Sequence, residues 1–132
     1  MTTLEIQFDG GKKISTIVNG HHIQTDQPVR AGGEGSAPTP FDLFLASLGT
    51  CAGIFIKSFC DQRDIPTDNI KLFQHMHFSQ ESHLFEKFEL EIHIPQDFPE
   101  KYRDSLIHVA ESCSVKKHLM NPPEFEVYTK VV

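Results

Sequence analysis

The sequence predicts an α+β protein built from short antiparallel strands and one long helix. Two hydrophobic spacings alternate along its 132 residues: every second position in the strand-like segments, and steps of three and four in the helical ones. Turn signals such as Asn19-Gly20 separate the strand-like segments, and Thr39-Pro40 opens the longer helical segment. A chain of this length is expected to form a single domain over residues 1–132.

The N-terminal third predicts a β-meander. Apolar residues alternate from Leu4 to Phe8, residues 13–18 are rich in β-branched side chains, and a second hairpin leads into residues 21–25. From Pro28 to Pro38 the chain predicts an exposed loop that could border a site. Its Gly32-Gly33-Glu34-Gly35 run lacks the Lys-Ser/Thr ending of a phosphate-binding loop, so flexibility is the simpler explanation of the glycines.

The strongest helix signal begins at Thr39. The segment Thr39-Pro40-Phe41-Asp42 places a hydroxyl at the N-cap, proline at the first helical position and an acid two residues later. The helix should end near Arg63, because Ile65-Pro66 disfavours continuation. Its apolar stripe comprises Phe44, Leu48, Cys51, Phe55 and Phe59. Cys51 is therefore expected on a buried or interface-facing surface.

Two strands and a second helix should follow. Alternation predicts strands from Ile70 to Phe78 and from Phe88 to Ile94, joined through residues 80–84. Pro99 opens a helix whose apolar stripe is Tyr102, Leu106, Val109 and Cys113. A short helical turn over Lys116–Met120 and a closing strand over Phe125–Val131 complete the prediction.

Composition excludes several classes of function. A net charge of −6 without a Lys/Arg cluster argues against nucleic-acid binding. No uninterrupted apolar run approaches the roughly 20 residues that span a bilayer, so no membrane insertion is expected. The N-terminus lacks a basic segment followed by an apolar one, which favours a cytoplasmic location. Three cysteines without a CxxC spacing indicate free thiols rather than a disulfide framework.

Cys51 and Cys113 are the candidate reactive residues. Because both lie on inward stripes of separate helices, they could face one another as a nucleophilic thiolate and a resolving thiol. The alternative is that both are small core hydrophobes, as buried cysteines often are. Cys60, nine residues after Cys51, falls on another side of the helix and is expected to be a packed or semi-exposed thiol.

Two motifs resemble the OsmC/Ohr family, most closely its YhfA-like branch. They are Ala37-Pro-Thr-Pro-Phe-Asp-Leu-Phe-Leu-Ala-Ser-Leu-Gly-Thr-Cys51 and the distant Cys113-Ser-Val-Lys-Lys-His-Leu119. The resemblance implies antiparallel sheets packed around a long central helix in an intertwined homodimer. It also implies that Cys51 and Cys113 reduce a hydroperoxide or another small apolar substrate without a cofactor. A dithiol or lipoyl-type reductant would then regenerate the two cysteines.

The family's pattern is incomplete in this chain. Family peroxidases use an N-terminal arginine and a glutamate ten residues before the first cysteine, where this chain has Phe41. Asp42 falls roughly opposite Cys51 on a continuous helix and is better explained as a capping residue. Arg30 is the candidate arginine, reaching the thiol of either subunit from its loop, although loop arginines are usually just solvated.

The second motif also departs from the family, which commonly has Cys-Pro-Val-His. Here Ser114 and Lys116 replace the proline and the histidine. Lys116 could still supply positive charge near the thiols, or it could be an ordinary surface lysine. A reactive Cys51 needs such charges or hydrogen-bond donors, because its mid-helix position provides no help from the end of its own helix.

Histidines raise a separate metal hypothesis. His75 and His77 share one face of a predicted strand, and His93 could lie on its neighbour. Solvated histidines on the polar face of a half-buried sheet explain the same alternation, so no metal is expected.

Two functional hypotheses follow. The first is a thiol-dependent hydroperoxide reductase in oxidative stress defence. The second is a non-catalytic binder of small apolar ligands or a redox sensor on the same fold, which the missing glutamate favours. Turnover of hydroperoxide with a dithiol would distinguish the first from the second, and a purely structural interaction module would show neither turnover nor binding.

Overall fold

The computed structural model describes all 132 residues, and the chain divides into two compact units, Met1–Ala46 and Ser47–Val132. Three α-helices and two small antiparallel sheets confirm the predicted α+β class. The expectation of one domain over residues 1–132 stays a prediction.

The first unit carries a three-stranded antiparallel meander in the order β1-β2-β3. Its strands are β1 (Gln7–Phe8), β2 (Ile14–Val18) and β3 (His21–Thr25). Asn19 and Gly20 join β2 to β3 with φ angles of 50° and 81°, the left-handed conformation that a tight two-residue hairpin requires. The meander is therefore as predicted, except that only the last two residues of the expected first strand pair with β2.

Helix α1 (Pro40–Asp61) begins as its sequence predicts. The Thr39 hydroxyl accepts a hydrogen bond from the backbone N–H of Asp42, and the Asp42 carboxylate accepts one from the N–H of Thr39, both at 3.1 Å. This reciprocal capping box confirms the capping role of Asp42. By length and composition alone α1 could cross a membrane, although core helices of globular proteins share this property, and 28% of its most apolar window is buried within the chain.

The second unit contains most of α1, a hairpin and two further helices. Strands β4 (Lys71–Phe78) and β5 (Phe85–His93) pair antiparallel. A 3₁₀ turn at Glu100–Tyr102 leads into α2 (Arg103–Glu111), and α3 (Ser114–Met120) follows. The buried core comprises Ala52, Ile56, Phe59, Cys60, Phe98, Leu106 and Ala110.

Two predictions at the C-terminal end are wrong. Cys113 does not continue the stripe of α2, which ends at Glu111; it is the N-cap of α3. Phe125–Val131 forms no strand, and Phe125, Val127 and Val131 are at least 87% exposed. A strand needs a partner for its backbone N–H and C=O groups, and no strand of this chain pairs with the segment.

Candidate active site

Cys51 lies in the fourth turn of α1, beside the helix face that packs into the core. Leu48 and Ala52 are buried on that face, at 9% and 0% exposure, whereas Cys51 is half-buried at its edge. The prediction that Cys51 lies on a buried or interface-facing surface is therefore correct in part, because its side chain is half-buried. Cys51 is therefore neither fully buried nor exposed.

The start of α3 brings the second cysteine to the first. The Cys113 and Cys51 side chains are hydrogen-bonded to each other, and the backbone N–H groups of Ser114 and Val115 donate to the Cys51 sulfur. Cys113 is 2% exposed. Of the three predicted site residues, the structure thus brings two into direct contact.

The surroundings shift the pKa values of the two thiols in opposite directions. Burial raises the pKa of Cys51, but the hydrogen bonds from Cys113, Val115 and Ser114 outweigh it, so its pKa lies below the ordinary 9.0. Burial raises the pKa of Cys113, and its hydrogen bond to Cys51 raises it further. A shared proton therefore belongs on Cys113, and Cys51 is the sulfur that ionises first.

The source of this stabilisation differs from the sequence-based expectation. The middle of α1 offers Cys51 no free N–H groups, as expected, but the first turn of α3 supplies two. The contact joins residues more than 60 positions apart in the sequence, so local pattern could not reveal it. The only signal was the second family-like motif, which contains all three donors.

Cys60 is a core residue. It is 0% exposed and belongs to the core cluster with Ile56 and Phe59. Burial raises the pKa of its thiol, and the nearby Asp61 charge raises it further. The predicted packing role is confirmed.

Arg30 lies in the first unit, exposed in a 3₁₀ turn over Val29–Ala31. The loop around it is tied to the buried carboxylate of Asp26, which is 1% exposed. That carboxylate accepts hydrogen bonds from the backbone N–H groups of Gln27 and Glu34 and from both the N–H and the hydroxyl of Ser36. The two ends of the loop that carries Arg30 are therefore joined by hydrogen bonds, and the expected flexibility of the loop stays a prediction.

Asp26 is the residue that sequence reasoning missed. Hydrogen bonds from Ser36, then from Gln27, lower the pKa of its carboxyl to about 2. Gly33 completes the arrangement, because a Cβ there would lie 2.0 Å from the carbonyl oxygen of Gln27. An aspartate just before a segment rich in glycine and proline is a known turn signal and could have indicated this role.

The other candidate residues, Phe41 and Lys116, are exposed. Phe41, at the position of the family's glutamate, is 51% exposed and stacks on Phe44 with ring centroids 5.5 Å apart. Lys116 lies in α3 with an exposed side chain.

The strand histidines pair with glutamates on the polar face of the β4–β5 hairpin. His75 contacts Glu91 at 2.7 Å, and His77 contacts Glu89 at 2.5 Å. His93 also contacts Glu91. Hydrogen bonds from Lys87, then from His77, lower the pKa of Glu89 to about 2. These exposed pairs confirm the interpretation of solvated residues on a half-buried sheet.

A cavity of about 460 Å³ adjoins the cysteine pair. Its walls come from β5 and all three helices. Cys113 is among the lining residues, which also include Leu48, Ala52, Phe88, Leu90, Ile92, Ile107, Ala110, Leu119 and Met120. The cavity offers an apolar space against the second sulfur, and its size falls within the range of small-molecule pockets.

Comparisons with known proteins agree with this architecture. The family model described as OsmC-like protein matches residues 33–128. A search of curated proteins found no match. Among solved structures, the chain is similar to an osmotic stress induced and detoxification response protein from Psychrobacter arcticus, with a TM-score of 0.70 and 24% identity over 89% of this chain and 87% of the other.

Two further solved structures are named for hydroperoxide resistance. One is OsmC from Legionella pneumophila, with a TM-score of 0.53 and 21% identity over 90% of both chains. The other, from Vibrio cholerae, holds captopril in one of its active sites; its TM-score is 0.54 and its identity 16%, over 92% of this chain and 87% of the other. These likenesses establish the fold, while the YhfA-like branch stays a prediction.

Proposed function

Because the chain belongs to the OsmC-like protein family, we propose that it is a thiol-dependent hydroperoxide reductase acting in oxidative stress defence. Cys51 is the peroxidatic residue and Cys113 the resolving one. The names of the Legionella and Vibrio structures, both hydroperoxide resistance proteins, support the class of reaction. The cysteine pair of this chain supports the mechanism.

One observation carries the proposal: Cys51 and Cys113 are hydrogen-bonded, and the pKa of Cys51 is lowered while that of Cys113 is raised. A peroxide is attacked by a thiolate, so the sulfur that ionises first is the better nucleophile at neutral pH. A resolving thiol must lie within bonding reach of the first sulfur. The lowered pKa of Cys51 supports the first role, and its hydrogen bond to Cys113 supports the second.

The reaction has two steps on the protein. The Cys51 thiolate attacks one oxygen of the hydroperoxide, an S–O bond forms, the O–O bond breaks, and the alkoxide leaves and takes a proton as the alcohol. The Cys113 thiol then loses its proton and attacks the Cys51 sulfenic acid, so that an S–S bond forms and hydroxide leaves as water. Two thiols from a dithiol or lipoyl-type reductant restore the pair and become a disulfide.

We assign Arg30 a supporting role as a cation for the Cys51 thiolate. The hydrogen bonds of the Asp26 carboxylate support this assignment, because they tie Gln27 to Glu34 and Ser36 across the two ends of the loop that carries Arg30. A pre-ordered loop presents a side chain at lower entropic cost than a flexible one. Replacement of Arg30 by glutamine should raise the Cys51 pKa without unfolding the protein.

We further propose that the protein acts as a cytoplasmic homodimer. Helix α1 is apolar over most of its length, yet only 28% of its most apolar window is buried within the chain. Ile54 is 58% exposed and lines an open groove of about 940 Å³ between α1 and α2. A second copy of the chain would cover these apolar surfaces. Sedimentation equilibrium should therefore give twice the monomer mass.

The decisive experiment adds one equivalent of cumene hydroperoxide to the reduced protein and follows the loss of free thiols. We expect two thiols to disappear for each peroxide consumed, with a Cys51–Cys113 bridge found by peptide mass mapping. Dithiothreitol should then sustain turnover. Slow oxidation spread over all three cysteines, without turnover, would contradict the proposal.

A second candidate, a non-catalytic binder of small apolar molecules, is favoured by one observation: the apolar cavity beside Cys113. Such a binder would saturate at one equivalent of ligand per site and would leave added hydroperoxide unconsumed. The turnover assay separates the two candidates directly.

A further inference from the structure

The cavity beside the cysteine pair is lined by only one of the two cysteines. Cys113 lines it, whereas Cys51 is absent from its walls. Leu48 and Ala52 of α1 line it instead, so the helix that carries Cys51 turns its other residues toward this space. A molecule seated in the cavity would therefore meet Cys113.

The chemistry of the walls indicates what kind of molecule fits. Aliphatic and aromatic side chains of β5, α1 and α2 form the interior, while Glu111 and Lys116 are exposed at the edge and carry opposite charges. The opposed charges favour no charged ligand of either sign, and the apolar interior favours an alkyl chain. About 460 Å³ accommodates a chain of several methylenes.

We propose that this cavity receives the alkyl chain of the reducing thiol, and that the thiol attacks the sulfur of Cys113 rather than that of Cys51. The inference rests on the proposed function, since it concerns the regeneration of the disulfide formed there. It assigns the peroxide and the reductant to different sulfurs of one pair.

The step balances as a thiol–disulfide exchange. The reductant thiol loses its proton, its thiolate forms a bond to the Cys113 sulfur, and the Cys51–Cys113 bond breaks with its electron pair on Cys51. The second thiol of the same reductant then attacks the reductant's sulfur in the mixed disulfide, and Cys113 is released. The reductant is oxidised by two electrons to a disulfide, and both cysteines are reduced.

The properties of the leaving sulfur agree with this direction. Exchange is faster when the departing thiol has the lower pKa. Hydrogen bonds from Ser114 and Val115 stabilise Cys51 as a thiolate, whereas the pKa of Cys113 is raised. Attack at Cys113 expels the better leaving group, and attack at Cys51 would expel the poorer one.

Mass mapping of the mixed disulfide tests the inference. The disulfide is formed with diamide in a Cys60→Ala background, so the test does not depend on peroxidase activity. Hexanethiol is added at limiting concentration, the mixture is quenched with acid, and free thiols are alkylated. We expect the hexyl adduct on Cys113 and the alkyl label on Cys51; an adduct on Cys51, or on both equally, would overturn the inference.

The same sample distinguishes failure of this inference from failure of the proposed function. If diamide forms no Cys51–Cys113 disulfide, both proposals are wrong. If the disulfide forms and the adduct lies on Cys113, but hydroperoxide is not consumed, only the proposed function is wrong.

Chain length provides a second measurement. Ethanethiol, butanethiol and hexanethiol have similar thiol chemistry, so burial of the chain should raise the rate constant of reduction by up to about fourfold per methylene. The variant Ile107→Trp, which fills the cavity from a wall residue that is 53% exposed, should abolish this dependence. Ile17→Trp, at a 57% exposed position outside the cavity, is the matched control. A length dependence that survives in Ile107→Trp would count against the cavity as the binding site.

Discussion

Helix α1 carries two cysteines whose surroundings oppose each other. At Cys51, a neighbouring thiol and two backbone N–H groups outweigh the effect of burial, and the pKa falls. At Cys60, nine residues along the same helix, apolar packing and the charge of Asp61 raise the pKa, and no N–H group compensates. Burial raises the pKa of both thiols, although Cys51 is half-buried and Cys60 is fully buried. The difference is the supply of hydrogen-bond donors, which here comes from another helix.

The largest expected effect is the loss of activity in Cys51→Ser. Without the thiolate no S–O bond forms, so peroxide consumption should fall by at least about 10³-fold. Cys60→Ala is the control: it removes a core sulfur, costs about 1 kcal/mol of stability and leaves the rate unchanged. Peroxide consumption is measured with dithiothreitol as reductant. Equal losses of peroxide consumption in the two variants would contradict the assignment of the reactive thiolate to Cys51.

The variant Cys113→Ser should separate oxidation from resolution. Cys51 still reacts with peroxide once, but its sulfenic acid has no partner thiol, so turnover should fall by about tenfold or more. Trapping with dimedone, which labels sulfenic acids, checks this. Unchanged turnover without a dimedone adduct would show that Cys113 does not resolve.

The pH dependence of alkylation should rank the two sulfurs of α1. Because the Cys51 pKa is lowered, its rate of reaction with iodoacetamide should rise with pH with a midpoint below pH 9.0. The raised pKa of Cys60 should keep it unreactive at that pH. Peptide mass mapping at each pH gives both rates from one sample. A Cys51 midpoint at or above 9.0 would contradict the lowered pKa.

The variant Ser114→Pro should weaken the thiolate by removing one donor. Proline is tolerated at the first position of a helix, and Cys113 already has the extended conformation, φ −54° and ψ 132°, that a following proline requires. We expect a higher Cys51 pKa and a few-fold slower oxidation. Ser114→Ala retains the N–H and should behave as the native protein. Serine at this position thus provides an N–H group that the family's usual proline lacks.

The smallest effect on activity and a clear effect on stability are expected for Asp26→Asn. Its carboxyl has a pKa of about 2 in the folded chain against 3.8 ordinarily, so its stabilisation is present above pH 3.8 and is lost as pH falls toward 2. Melting temperatures should drop at pH 7 and depend less on pH between 4 and 2. Asp9→Asn, at an exposed turn, is the control. Parallel pH profiles in native protein and Asp26→Asn would contradict this role.

Much of the fold was predictable because its signals are local. The capping box at Thr39, the Asn19-Gly20 turn and the alternation of β4 each lie within a few residues. The prediction of a closing strand over Phe125–Val131 was wrong because an alternating pattern does not show whether a partner strand is available.

The contact between Cys51 and Cys113 was predictable, but the hydrogen bonds that shift their pKa values were not. The two motifs located Cys51 and Cys113, but α1 is apolar on several sides, so periodicity alone could not tell which stripe faces the core. The helix break at Ser112, which makes Cys113 an N-cap, has no strong breaker residue to announce it. Donation from Ser114 and Val115 follows from that break and needed the structure.

The close approach at Gly33 sets how the Arg30 loop can vary through evolution. Every other amino acid brings a Cβ, and a Cβ here would lie 2.0 Å from the Gln27 carbonyl oxygen and 2.8 Å from an Asp26 carboxylate oxygen. No substitution at this codon is therefore mild, because any side chain must displace the Gln27 carbonyl or the Asp26 carboxylate. Even Gly33→Ala changes the hydrogen-bonded loop on which the position of Arg30 depends.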